Sequence, residues 1–88
     1  MRLMECPNFD QGLVRPLVAQ EGQMILFCDS AECIWLSPGH VSSVEAIYTE
    51  GPEWEVAPGI HATPGKTRWA TQDDLPQEWL DGFEWHDG

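Results

Sequence analysis

The sequence predicts a small α+β domain that opens with an antiparallel β-meander and carries one or two short helices. Its 88 residues are the length of one domain. The first part holds three short segments of β-forming residues separated by turns. A later segment has the residues that begin and end a helix. We therefore treat residues 1–88 as one domain, with the meander in residues 1–36 and an acidic, Trp-rich remainder in residues 37–88.

The predicted strands of the meander are residues 13–19, 23–28 and 32–37. The first is rich in Leu and Val, but Pro16 lacks a backbone N–H, so we expect an edge strand or a bulged strand. The second is a short apolar run, which is typical of a buried strand. In the third, Ile34 and Leu36 lie on one face, and Cys33 and Trp35 lie on the other.

The remainder of the chain predicts two helices and two further strands. A Ser-Pro pair precedes a short helix over residues 38–47. Residues 53–56 and 66–69 alternate charged and apolar, and we expect them to pair antiparallel with opposite charges facing each other. Asp74 is the expected cap of a helix that ends at Leu80 or Asp81, with Gly82 as its stop. The tail, residues 83–88, alternates again and adds an edge strand or frays.

Three cysteines, at positions 6, 28 and 33, do not make a disulfide framework, because the count is odd and no signal peptide is visible. The segments Cys6-Pro7-Asn8, Cys28-Asp29 and Ile34-Trp35-Leu36 resemble small bacterial zinc-ribbon proteins. Those proteins open with Cys-Pro-x-Cys and return with Cys-Asp-x-Cys before a Trp-Leu pair. The resemblance covers residues 1–36, and Phe9 and Ala31 stand where it implies the second Cys of each pair.

A structural zinc site takes four ligands, so the two matching cysteines do not close one. Cys33 could supply a third ligand, and His40 or His61 a fourth, if the fold brought them close. The expected structure is a degenerate ribbon in which packing replaces the metal, with no cofactor and no metal. If zinc is bound, we expect Cys6, Cys28 and Cys33 to hold it.

Charge excludes several classes of partner. Four Lys and Arg against fifteen Asp and Glu give a formal charge of −11. Nucleic acids and anionic membrane surfaces require basic patches that four cations do not build. No apolar run approaches the ~18 residues of a membrane span, and the first residues lack the apolar core of a secretory signal. We expect a cytoplasmic protein.

Signals for catalysis are weak, so we expect no enzyme. Residues 62–67 end like a phosphate-binding loop, but Gly59 stands one residue before the place where that motif needs its first Gly. The histidines His40, His61 and His86 are spread over three loop-like regions, whereas a nucleophile needs a base within hydrogen-bond reach.

Acidic residues and tryptophans carry the functional prediction. Unbalanced acids can simply be a solvated surface, but they also steer association with a basic partner, and Trp is enriched at interface hot spots. Trp35 and Trp69 alternate within strands and are expected in the core. Trp54, Trp79 and Trp85 lie beside acids and are interface candidates.

In size and charge the chain resembles bacterial immunity proteins. This resemblance implies an acidic inhibitor that occludes a basic toxin domain, such as a nuclease. The predicted partner-binding residues are Glu50, Glu53, Trp54, Glu55, Asp73, Asp74, Glu78 and Trp85. The alternative is a zinc-ribbon accessory module in transcription, translation or metal handling.

Overall fold

The computed structural model describes residues 1–8, 11–30, 33–48 and 54–86. Its elements are β1 (Met4–Glu5), β2 (Leu13–Val18), β3 (Met24–Cys28), β4 (Cys33–Trp35), β5 (Ile47–Tyr48), β6 (Glu55–Ala57), β7 (Ile60–His61), β8 (Arg68–Trp69) and α1 (Gln77–Gly82). Turns of 3-10 helix lie at Pro38–His40 and Gln72–Asp74. The fold is broadly α+β and mostly antiparallel, with one short α-helix in the described ranges.

Strands β1 to β5 lie side by side in that order, and β8 joins the same sheet by pairing with β2. The predicted meander is confirmed as β2, β3 and β4, which pair antiparallel with their neighbours in the chain. Each face of these strands packs against a core cluster. This packing on both faces explains why β3 is a continuous apolar run rather than an alternating one.

The prediction of an edge strand at β2 is wrong, because β2 has neighbours on both sides. One side pairs with β3, while β1 pairs with residues 13–14 and β8 with residues 17–18 on the other. The N–H of Ala70 donates to the carbonyl of Pro16 at 3.0 Å. In a strand the N–H and C=O of one residue point to the same side, so the missing N–H of Pro16 faces the gap between β1 and β8. A proline is therefore tolerated in a central strand.

Alternation along the strands divides the core into two clusters, one on each face of the sheet. The first contains Cys6, Val14, Leu26, Cys28, Cys33 and Trp35, with Trp79 of α1 and Trp85 of the tail packed against it. The second contains Leu17, Ala19, Ile25, Ile34, Val56 and Ala62. Val56 lies on β6 and Ala62 follows β7, so the hairpin made by β6 and β7 covers part of this second face.

The helix predicted over residues 38–47 is absent, and only Pro38–His40 forms a 3-10 turn. Gly39 and the β-branched residues lower the helix propensity of a segment that is short for a helix. The segment instead forms an irregular loop, which is held to β4 by a hydrogen bond of 2.9 Å from the indole N–H of Trp35 to the carbonyl of Ser42. Val44, which the helix would have placed on its apolar face, is 89% exposed.

The predicted pairing of residues 53–56 with residues 66–69 is also wrong. Strand β6 pairs with β7, and Gly59 in the turn between them has a φ of 79°. Strand β8 pairs with β2 instead. A hairpin closed by a tight turn costs less chain entropy than one closed by the longer loop that the predicted pairing required.

The predicted C-terminal helix is confirmed, although it begins later than expected and includes Gly82, the expected stop. Asp74 accepts a hydrogen bond from the backbone N–H of Thr71 at 2.8 Å and so closes the 3-10 turn rather than α1. Leu75 is extended because it precedes Pro76, and α1 begins at Gln77. The tail returns to the first residues through two backbone hydrogen bonds between Arg2 and His86. None of the helices in the described part is long and apolar enough to cross a bilayer.

Candidate functional site

A groove of about 300 Å³ opens on the face of the sheet that carries the β6–β7 hairpin. We call it the aromatic groove. Its apolar lining comes from Leu17, Phe27, Trp54, Ala62, Pro64 and Trp69. Thr67 and Arg68 complete the lining.

The floor of the aromatic groove follows from strand register. Trp69 of β8 stands opposite Leu17 of β2, and Phe27 of β3 stands opposite Arg15, so these side chains share one face of the sheet. The rings of Phe27 and Trp69 meet edge to face, with centroids 6.0 Å apart and planes at 65°. Trp69 is nevertheless 48% exposed, so its predicted place in the core is wrong. The alternation places Trp69 on the correct face, but the described chain leaves that part of the face open.

Trp54, on the hairpin side of the groove, has a backbone conformation that residues other than glycine rarely adopt. Its φ is 52°, in the left-handed region, which costs roughly 1–2 kcal/mol for an ordinary residue. The carbonyl of Trp54 accepts a hydrogen bond from Ala62 at 3.0 Å, which ties it to the end of β7. Strained residues are found more often at functional sites than elsewhere.

An ion pair connects the aromatic groove to the C-terminal segment. Both terminal nitrogens of Arg68 donate to the carboxylate of Asp74, each at 2.8 Å. This pairing with Arg68, together with the N–H of Thr71, holds the pKa of Asp74 well below its usual range. Asp74 raises the pKa of Arg68 in return. The one charged side chain of the groove lining is therefore neutralised within the protein, and Asp74 acts inside the fold.

Four exposed acids follow in the C-terminal segment, and we call them the acidic segment: Asp73, Glu78, Asp81 and Glu84. None of them has an ion pair within the described residues. Asp81 accepts one neutral hydrogen bond, from Gln77 at 2.9 Å. The acidic segment therefore keeps its charge available at the surface.

Other carboxylates have partners in the fold. Arg15 pairs with Asp29 at 2.8 Å, and burial, which by itself raises the pKa of Asp29, is outweighed by the hydrogen bonds that Arg15 and the Leu13 N–H donate. Glu21 accepts hydrogen bonds from the backbone N–H and the ring of His61, which lower its pKa. These acids support the fold rather than a binding surface.

The predicted partner-binding residues separate into several places. Asp73 and Glu78 lie in the acidic segment, while Trp54 and Asp74 lie at the groove and its ion pair. Glu55 is half exposed on β6, with its carboxylate 3.8 Å from the ring of His61. Glu50 and Glu53 lie outside the described residues.

Trp85 and Trp79 support the core rather than extending from it. Their rings stack with centroids 6.3 Å apart, and the indole N–H of Trp85 donates to the carbonyl of Trp79 at 2.9 Å. Both rings pack against the cluster on the face opposite the aromatic groove. The sequence prediction missed Phe27, Pro64 and Trp69 as lining residues of the groove. Phe27 is half-buried and lies in an apolar run that predicts a buried strand, so the sequence carried no signal for its place in the groove.

The three cysteines lie together in the core cluster on that opposite face, and they form no disulfide with one another. Burial, followed by the hydrogen bond with Cys28, raises the pKa of Cys6 to about 11. The side-chain amide of Asn8 donates to the sulfur of Cys33 at 3.5 Å and to the hydroxyl of Tyr48 at 2.9 Å. The raised pKa of Cys6 favours its thiol over the thiolate that binds metals.

The described residues do not fit a zinc site. Among them, no group of three or more His, Cys, Asp or Glu side chains is arranged to hold a metal ion. His40 and His61, the possible fourth ligands, are each hydrogen-bonded to a glutamate, Glu45 and Glu21. Phe9 and Ala31 lie outside the described residues. The absence of a bound metal stays a prediction.

The polar contacts of the histidines differ from a nucleophile–base arrangement. The hydroxyl of Ser42 donates to Glu45 at 3.3 Å, and the ring of His40 contacts the same carboxylate, so the carboxylate stands between hydroxyl and imidazole. A triad places the imidazole in the middle.

Comparison of the chain with protein-family models, curated proteins and solved structures finds no match.

Proposed function

We propose that this chain is a non-enzymatic, cytoplasmic protein-binding protein, an acidic inhibitor of the immunity type. It neutralises a basic bacterial toxin domain, such as a nuclease, by covering it. The observation that carries the proposal is the Arg68–Asp74 ion pair. Arg68 lines the aromatic groove and its partner Asp74 is next to Asp73, so an apolar anchor site and an exposed acid lie close together.

This combination matches the anatomy of protein–protein interfaces. Tryptophans in a central apolar site are typical hot spots, with losses of about 2 kcal/mol or more on truncation. Exposed charges around such a site govern the rate of association and its dependence on salt. The net charge of −11 sets the strength of the attraction, and salt limits its range to about 8 Å at physiological ionic strength. A domain that acts on nucleic acid carries the complementary basic surface.

The first experiment is an affinity pull-down of the tagged protein from its native cells at low and high salt, read by mass spectrometry. We expect one stoichiometric basic partner that is lost as salt rises. Absence of any partner at both salt concentrations would argue against the inhibitor.

A matched pair of charge variants then locates the surface. The double variant Asp73→Asn/Glu78→Gln and the control Glu5→Gln/Glu45→Gln each remove two negative charges, from −11 to −9. Glu5 stands opposite Leu13, at the end of β2 away from Arg68, and Glu45 lies in the loop before β5. We expect the first variant to slow association with the captured partner and the control to leave it nearly unchanged. Equal effects would mean that only net charge matters.

A second proposal is a zinc-ribbon accessory module in transcription, translation or metal handling, with residues 1–36 as a degenerate ribbon. The observation that favours it is the contact of Cys6, Cys28 and Cys33 in one cluster of the meander. The fit of the described residues to a metal is poor. About one zinc per chain in protein purified without chelator would favour this second proposal over the first.

A further inference from the structure

We infer that the aromatic groove receives a single aromatic side chain of the basic partner, from a segment in which lysines or arginines flank that residue. This inference rests on the proposed function and specifies the chemistry that the groove recognises.

Size limits what the groove accommodates. Its volume of about 300 Å³ is at the lower end of the roughly 300–1,000 Å³ typical of small-molecule and cofactor sites. The groove is also open along one side of the sheet rather than enclosed. One large side chain fits this space better than a cofactor, which is normally buried over most of its surface.

The lining favours an aromatic ring over other side chains. Trp54, Phe27 and Trp69 offer ring faces and edges, and aromatic pairs gain attraction beyond the area that they bury. Arg68 is held in place by two hydrogen bonds to Asp74, so its guanidinium is ready to lie over an incoming ring. A lysine or arginine in the same position would find no free carboxylate in the lining, because Asp74 is already paired with Arg68.

Charge complementarity defines the residues on either side of the ring. The groove lining contains no carboxylate, whereas Asp73, next to the Asp74 that pairs with Arg68, is exposed and has no ion pair in the described part. The apolar lining selects the central ring, and Asp73 together with the net charge of −11 selects flanking cations. A basic segment with one central aromatic residue satisfies both surfaces at once.

Three synthetic peptides test this inference: Ac-Lys-Lys-Phe-Lys-Lys-NH2 and its analogues with Leu or Ala in the centre. Binding is followed by NMR shifts of the five indole N–H groups, all of which belong to the protein because the peptides contain no Trp. We expect the Phe peptide to bind about tenfold more tightly than the Ala peptide, and more tightly than the Leu peptide. The largest shifts should fall on the indoles of Trp54 and Trp69.

Variants of Trp69 decide whether the groove is responsible. Trp69→Ala should abolish the preference for Phe, and Trp69→Phe should keep most of it. Val44→Ala is the control, because it shortens a side chain that is 89% exposed in the loop before β5. It should leave the preference for Phe unchanged. Circular dichroism and thermal melting verify that each variant folds.

The outcomes separate this inference from the proposed function. Equal binding of the three peptides, or a Phe preference that survives Trp69→Ala, overturns the inference. Absence of binding by all three overturns it too. In each case the pull-down and the charge variants still test the proposed function independently, because they measure a whole partner and not the groove.

Discussion

Gly12 is the position where the structure makes its sharpest prediction about stability. A Cβ atom at Gly12 would lie 2.6 Å from the sulfur of Cys28, 3.2 Å from the Cβ of Cys6 and 3.4 Å from the Cβ of Ser30. Carbon atoms in contact normally lie about 3.5–4.0 Å apart, so the sulfur would have to move by roughly 1 Å. Cys28 is fully buried, so its sulfur cannot move out into solvent.

The expected magnitude of Gly12→Ala is the difference of two effects. Overpacking a tight core costs about 1–3 kcal/mol. Replacing Gly by Ala also restricts the unfolded chain, which stabilises the fold by about 0.4–1 kcal/mol. Gly12 is not among the glycines with positive φ, so no backbone strain is added. We expect a net loss of about 1–2 kcal/mol, a large share of the roughly 4–13 kcal/mol expected for a domain of this length.

Urea denaturation followed by Trp fluorescence measures this loss, with thermal melting as a second readout. A second variant assigns the loss to the sulfur contact. Cys28→Ala removes the sulfur and leaves a cavity, which Gly12→Ala should partly fill, so the double variant should be more stable than the sum of the two single effects predicts. Gly12→Ala with wild-type stability, or single effects that add within about 0.5 kcal/mol, would refute the reasoning.

Two further predictions concern charge and metal. The pKa of Asp74 is depressed in the folded protein, so its contribution to stability is present above its ordinary pKa and is lost as pH falls through the folded value. Urea midpoints of the wild type should therefore fall more steeply than those of Asp74→Asn below about pH 4, and parallel profiles would contradict this. Protein purified without chelator should contain no zinc above background by elemental analysis. Near one zinc per chain would support the zinc-ribbon proposal and contradict the packing around Cys6, whose raised pKa favours the thiol.

The central strands were predictable because their signals are local. Residues 13–28 contain two β-rich runs joined by a turn at Gly22, whose φ of 90° suits glycine. Only Pro16 misled the prediction. A proline cannot donate a backbone hydrogen bond, so it is normally excluded from a strand that has one continuous neighbour on each side and indicates an edge strand instead. Here two short strands, β1 and β8, share one side of β2 and leave a gap at Pro16. The sequence does not show that arrangement.

The sequence pattern assigns the groove residues to the correct face of the sheet, but it does not show whether other elements cover that face. Alternation tells which face of a strand a side chain occupies, and Trp69 does share its face with Leu17. Whether that face is covered depends on where the β6–β7 hairpin lies, and this depends on β6 pairing with β7 rather than with β8. The sequence prediction placed Trp69 in the core from alternation alone, and alternation does not show how much of a face other elements cover.

The acids show the same dependence on long-range structure, with a consequence for any binding experiment. Asp73 and Asp74 are neighbours in the sequence, and both are predicted to bind the partner. Only Asp74 forms an internal ion pair, with Arg68. Neutralising Asp74 releases Arg68 in the groove lining and removes a hydrogen-bond acceptor of Thr71. Such a variant changes folding, groove charge and partner contact at once. Asp73 is exposed and has no ion pair in the described residues, so Asp73→Asn is the substitution that isolates the contribution of the acidic segment to binding.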